Sequence, residues 1–205
     1  MYANGTGVLR DFSRAKEWYE KAASQGHGGA QNNLGLMYYE GTGVRQDYKQ
    51  AIAWLTKAAM QGHPAPQVTL GLMYDKGQGV PQDYRKAIEW YTKAAAQGSA
   101  AGQSNLGTMY EAGTGVAQDF RAAMSWYAKA AAQGDAQAQF NLGALYANGR
   151  GARRDLVEAL KWVLLAIQGG YTEGSEARQH LERGMTRDQV AEAENRARKW
   201  KSANP

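Results

Sequence analysis

A few side chains in this sequence carry types and spacings that could do chemistry. Ser13-Arg14-Ala15-Lys16 spells S-x-x-K, which places a hydroxyl and an amine one helical turn apart, the nucleophile motif of serine β-lactamases. At intervals of 36 residues the pair is not recreated. Ser13 is followed by Lys49, Arg85, Arg121 and Val157, and Lys16 by Ile52, Ile88, Met124 and Leu160. The accompanying motifs of those enzymes are also missing. The histidines, His27, His63 and His180, form no HExxH or comparable metal-ligand spacing. Asp11, Asp47, Asp83, Asp119 and Asp155 repeat in step. A calcium loop carries several oxygen donors within about a dozen residues, whereas each of these loops offers one Asp beside Gly and Val. Helix capping is therefore the reading preferred for them. Trp18, Trp54, Trp90, Trp126 and Trp162 keep the same interval. They are read as core filler in preference to stacking platforms for bases or sugars, and removing a buried one should cost about 3–5 kcal/mol. No P-loop is present, and the G-x-G pairs do not follow strands. No catalytic residue, metal or cofactor is expected.

The composition excludes more. The 205 residues contain no cysteine, so disulfides and Cys-based zinc or redox sites are impossible. The compartment stays open between the cytoplasm and, with an N-terminal signal outside this sequence, export to a periplasm. The net charge of +5 is mixed along the chain: Asp155 follows Arg153 and Arg154, and Arg178 and Arg183 flank Glu182. Single-sign blocks suited to a nucleic acid are absent. No apolar run approaches the roughly 20 residues that span a bilayer, and the N-terminus lacks the regions of a signal peptide.

These elements stand on a repeat. Tyr2, Tyr38, Tyr74, Tyr110 and Tyr146 share the 36-residue period, as do Ala15, Ala51, Ala87, Ala123 and Ala159 and the glycine pairs from Gly5 and Gly7 to Gly149 and Gly151. So many columns agreeing without an insertion identify a repeat architecture. Each unit reads as two helices. In the second unit Leu34 and Tyr38 share one face of the first helix, which closes at Gly41, a residue able to turn left-handed. Asp47 then sits where an N-cap belongs. The second helix carries a stripe of Ala51, Trp54, Leu55, Ala58 and Ala59 and stops near Gln61 and Gly62. The fold class is all-α, a solenoid of helix-turn-helix repeats.

The pattern L-G-x-x-Y, G-x-G-V-x-x-D-[YF], A-x-x-W-[YL], A-A-x-x-G resembles the Sel-1-like repeat, a relative of the tetratricopeptide repeat. It is spelled by LGLMYYEGTGVRQDYKQAIAWLTKAAMQG (34–62), LGLMYDKGQGVPQDYRKAIEWYTKAAAQG (70–98) and LGTMYEAGTGVAQDFRAAMSWYAKAAAQG (106–134). LGALYANGRGARRDLVEALKWVLLAIQGG (142–170) is a fourth copy that departs at its end, and MYANGTGVLRDFSRAKEWYEKAASQG (1–26) is a partial first copy. The resemblance implies a bacterial protein with a right-handed superhelical α-solenoid, serving as a non-enzymatic scaffold or adaptor that binds a peptide or protein domain in a concave groove. Some relatives were once associated with β-lactam binding, which makes a cell-wall-related hydrolase the less favoured alternative. A nucleic-acid-binding solenoid ranks third, since it would need a basic stripe on one face.

In tetratricopeptide-like solenoids the first helices line the concave side. Carried over by the L-G-x-x-Y pattern, the inward positions are Asn32, Leu36 and Tyr39; Val68, Leu72 and Asp75; Ser104, Thr108 and Glu111; and Phe140, Ala144 and Ala147. A neighbouring column reads Asn33, Thr69, Asn105 and Asn141. Its side chains are candidates to hydrogen-bond an extended peptide, or alternatively to tie neighbouring repeats together. Tyr39, Leu36, Leu72 and Phe140 form the candidate apolar patch, with the aromatics as hot spots.

The two ends differ. The sequence starts inside a repeat, which predicts a partial repeat over 1–29 and an open end able to self-associate. Four repeats follow over 30–173. In the last of them the column Lys21, Lys57, Lys93, Lys129 becomes Leu165, flanked by Leu164 and Ile167, and residues 174–205 are expected to cover that surface as capping helices. One is predicted over Ser175–Arg183. Another begins at Thr186, an N-cap with Gln189 three residues on and a staple of Met185 and Val190, and carries a thin stripe of Val190, Ala193, Ala197 and Trp200.

Overall fold

The computed structural model describes residues 11–204. The expectations of a partial first repeat and of a self-associating N-terminal end fall largely on residues 1–10, outside the described residues. The described chain forms eleven α-helices and no strand. They group into two compact units, residues 1–97 and 98–205.

The first unit holds α1 (Phe12–Ser24), α2 (Gly28–Glu40), α3 (Tyr48–Met60), α4 (Pro64–Lys76) and α5 (Tyr84–Ala96). Here α2 packs on α3 and α4 on α5 as the two helices of one repeat. The sequence dictates both ends of each turn. α2 and α4 close at Gly41 and Gly77, whose φ of 76° and 66° an L-residue rarely adopts. α3 opens at Asp47, whose Oδ1 accepts from the amides of Lys49 (2.9 Å) and Gln50 (3.0 Å). Asp119 and Asp155 likewise accept from two amides, and Asp11 and Asp83 from one, those of Arg14 and Lys86. The five aspartates are thus N-caps, each satisfying one or two amides that the first turn leaves free. A second ladder, unread in the sequence, braces the same turn. Gln46 Nε2 donates to the Tyr39 carbonyl (2.8 Å) and Gln82 Nε2 to that of Asp75 (2.7 Å).

The second unit holds α6 (Ala100–Ala112), α7 (Phe120–Ala132), α8 (Ala136–Asn148), α9 (Leu156–Gln168), α10 (Gly174–Arg183) and α11 (Arg187–Ala203). α6 packs on α7 and α8 on α9, while α10 and α11 both lie against α9. That helix explains why. Leu160, Trp162, Val163, Leu164 and Leu165 are all buried, so it is apolar around most of its circumference and needs cover on several sides. α11 supplies Ala193 and Ala197 to the core and sets Trp200 edge-on to Trp162, with centroids 5.7 Å apart. Arg196 reaches Glu158 at 2.8 Å. Thr186 opens α11 with a complete capping box on Gln189, and Met185 and Val190 pack against the core.

The tryptophan column requires correction. Trp18 is 61% exposed, and Trp54, Trp90 and Trp126 are half-buried; only Trp162, at 8%, is core. The following residue takes the central place: Leu55, Tyr91, Tyr127 and Val163 are buried. One residue is a 100° turn of the helix, so tryptophan lies on the edge of the stripe and its successor on the axis. The outer ring face is covered instead by the lysine three residues on. Lys57, Lys93 and Lys129 stand 4.0, 4.2 and 4.2 Å from the centroids of Trp54, Trp90 and Trp126. The L-G glycine makes room for the central residue. A Cβ on Gly35 would sit 2.7 Å from Leu55 Cγ, and one on Gly107 2.5 Å from the Tyr127 ring.

Candidate partner-binding faces

The inward positions predicted from sequence lie on α2 and α4 in the first unit and on α6 and α8 in the second. On the first unit's face, Asn32, Asn33, Leu36, Tyr39, Val68, Thr69, Leu72 and Asp75 are all half-buried. Much of their polar capacity is used internally. Tyr39 Oη donates to Gln78 Oε1 at 3.2 Å, and its ring lies 5.7 Å from that of Tyr48. Thr69 Oγ1 donates to the Ala65 carbonyl of its own helix. Asn32 Nδ2 donates to Asn33 Oδ1 at 3.4 Å, while Asn32 Oδ1 is buried with no partner. Burial pushes the Asp75 carboxyl above its ordinary range. The neighbouring Tyr91 hydroxyl is raised far above its usual value, first by burial and then by the charge of Asp75, and it too has no hydrogen-bond partner.

On the second unit's face the equivalent tyrosine is satisfied. Tyr127 Oη donates to Glu111 Oε2 at 2.8 Å and lies 3.1 Å from Thr108 Oγ1. The first unit has Leu72 where this one has Thr108, and Asp75, a methylene shorter, where this one has Glu111. Burial raises the Tyr127 hydroxyl as well. Asn141 accepts from Gln137 on its own helix at 3.0 Å. Asn105 is half-buried. Ser104 departs from the expected exposed position: it is 8% accessible, and its carbonyl accepts from Thr108 Oγ1. Ser104 is the one buried member of its column, for Asn32, Val68 and Phe140 are half-buried.

α8 lines a cavity. Phe140, Ala144 and Ala147, spaced four and three apart, line a hollow of 340 Å³ closed by Val163 of α9 and by Ala177, His180 and Leu181 of α10. Gly143, Asn148 and Glu176 complete its lining. The Phe140 ring lies 4.5 Å from that of Tyr171. Small side chains at 144 and 147 leave the space, and α10 supplies a wall that repeat arithmetic could not foresee, because α10 is not a repeat helix.

The S-x-x-K residues show a different arrangement. Ser13 is exposed, and Lys16 Nζ pairs with Glu20 at 2.7 Å. The hydrogen bond it donates to Glu20 holds the ammonium above its ordinary value, the opposite of what a general-base lysine needs.

Comparison with known proteins decides the family. The Sel1 repeat model matches residues 1–27, 29–63, 67–99, 100–135 and 136–171. The chain belongs to the Sel1 repeat family. A search of curated proteins gives no match. Among solved structures, a Sel1 repeat protein from Oxalobacter formigenes is 38% identical, with a TM-score of 0.86 over 100% of this chain and 83% of that one. A protective antigen present in uropathogenic Escherichia coli strains, c5321, is 35% identical with a TM-score of 0.85. The alignment covers 97% of this chain and 44% of the antigen, so the chain spans less than half the antigen's length. The Helicobacter pylori cysteine rich protein B is 26% identical, with a TM-score of 0.53 over 67% of this chain and 98% of its own. This Sel1 chain keeps that fold without any cysteine. Its fold class is the all-α solenoid of helix-turn-helix repeats, and Sel1 repeats are typically non-catalytic scaffolds for protein interaction.

Proposed function

We propose that this Sel1 repeat chain is a non-enzymatic scaffold that binds a peptide or protein domain through the first helices of its repeats. A large apolar side chain of that partner inserts between α8 and α10. The observation that carries this reading is the hollow of Phe140, Ala144, Ala147 and Leu181. It lies on positions that vary between copies, whereas the repeated columns cap, turn and pack the helices. A mostly apolar pocket with a few polar groups at hand is the usual form of a side-chain anchor site. His180 and Glu176 supply those polar groups. No nucleic acid is expected as partner: the cations Lys57, Lys93 and Lys129 lie over tryptophan rings, and Lys16, Lys161, Arg178 and Arg196 face carboxylates. The pairing of Lys16 with Glu20 also speaks against β-lactam chemistry at Ser13.

The test is selection of peptides from a random display library against the full chain. Retained peptides should share one large apolar residue and lose at least tenfold in affinity on Ala144→Trp, which fills the hollow. Selected peptides that bind Ala144→Trp and Phe140→Ala as tightly as wild type would place the interaction elsewhere. Nitrocefin turnover above background, abolished by Ser13→Ala, would overturn the non-enzymatic reading.

A further inference from the structure

In three repeats a pair of glutamine side chains closes the space between the two helices. Gln61 Nε2 donates to Gln31 Oε1, Gln97 to Gln67 and Gln133 to Gln103, each at 2.8 Å. The acceptor glutamine is itself fixed from behind, since Gln31 and Gln67 donate to the carbonyls of Ala23 and Ala59. Gln61 Nε2 also donates to the Gly26 carbonyl at 2.9 Å. The carboxamide seat is thus a recurring piece of the fold, made of one glutamine oxygen with a glycine carbonyl beside it in the first instance.

The last repeat keeps the seat and lacks its occupant. Gln139 is 3% exposed and donates to the Ala131 carbonyl at 3.1 Å as its counterparts do. The residue due to donate to it is Gly169. Gln139 Oε1 is left buried with no partner, a state that native structures rarely leave unexplained. The backbone does not demand glycine there. Gly169 has φ −79° and ψ 2°, close to Gln61 at −80° and 2° and Gln133 at −91° and 5°. Around this position the structure opens a cavity of 520 Å³, lined by Gln139, Gly134, Gly169, Leu165, Trp200 and Lys201 among others. Gly134 is the counterpart of Gly26, so both acceptor positions of the first seat recur in the lining.

We infer that this cavity binds a primary carboxamide, the tip of a glutamine side chain carried by a partner polypeptide. The carboxamide NH2 donates to Gln139 Oε1 as the chain's own glutamines do in the earlier repeats, and the methylene stem lies along Leu165 and Trp200. The site is separate from the hollow beside Phe140. Gln139 and Phe140 are consecutive on α8, a 100° turn apart, and the two cavities share no lining residue.

The test is an NMR titration of the full chain with N-acetyl-glutamine methylamide, with N-acetyl-methionine methylamide as the stem-matched control lacking the carboxamide. The glutamine compound is expected to shift the Gln139 side-chain amide and the Trp200 indole saturably, and the methionine compound is not. Gly169→Gln, which supplies the missing carboxamide from within, should weaken binding at least tenfold. Its Cβ would meet Ala136 Cβ at 2.9 Å, so Gln139→Met, which removes the acceptor without adding bulk at 169, is the second variant and should give the same loss. Equal shifts with both compounds would overturn the inference, as would no saturable shift or undiminished binding in a folded variant. Free L-glutamine binding where the capped compound does not would contradict a polypeptide source.

Discussion

At the scale of single residues, two tyrosines separate a hydroxyl that stabilises from one that does not. Tyr127 Oη is bonded to Glu111 and Thr108, whereas Tyr91 Oη is buried without a partner. Deleting a bonded hydroxyl and stranding its acceptor costs about 1–2 kcal/mol, whereas deleting an orphan is near neutral or stabilising. Urea unfolding should therefore show Tyr127→Phe clearly destabilised and Tyr91→Phe at or above wild type. Equal losses would mean that Tyr91 finds a partner. The carboxyl beside it gives a pH signature. Burial raises the folded-state value of Asp75 above the unfolded one, so the contribution it makes when protonated is lost as pH rises through that folded value. Asp75→Asn should therefore unfold at higher urea than wild type at neutral pH, and the gap should narrow as pH falls below the ordinary carboxylate range. The tryptophans divide as well. Trp162→Ala should lose about 3–5 kcal/mol, while Trp18→Ala, removing an exposed ring, should fall within about 0.5 kcal/mol of wild type.

At the scale of elements, helix boundaries were legible in the sequence because each has a local cause: aspartate at the N-cap, glycine at the left-handed C-cap, threonine with glutamine in a capping box. Asp119→Ala should cost about 1 kcal/mol by thermal unfolding, since its carboxylate serves two amides. Less was legible wherever a side chain's role depends on what lies across from it. The period shows that tryptophan recurs, yet only the packed helices show that its neighbour holds the axis. The glutamine columns were equally visible at fixed spacing, but the bonds Gln61–Gln31 and Gln46–Tyr39 join positions thirty and seven residues apart, and no local rule pairs them. Leu165 is the converse case. Its break from the lysine column announced cover, and it is buried beneath the terminal helices. Leu165→Lys should place an unpaired ammonium there, loosen α11 and expose Trp162. Faster amide exchange along α11, with α6 and α7 unchanged, is the expected signature.

For the whole molecule, the Sel1 columns account for the fold, and the proposed recognition rests on the residues between them. On the first unit those residues are half-buried, and Asn32, Tyr39 and Thr69 spend hydrogen bonds within the fold. On the second, α8 and α10 enclose an unfilled apolar hollow. Sequence located Phe140, Ala144 and Ala147 but not the wall opposite, because α10 belongs to no repeat. Filling the hollow should leave the fold intact, since positions 144 and 147 are half-buried and outside the buried core. The deciding measurement is the affinity of library-selected peptides for wild type and for Ala144→Trp at matched helicity by circular dichroism. A loss of tenfold or more is the predicted result. Unchanged affinity in the folded variant would contradict recognition by this face.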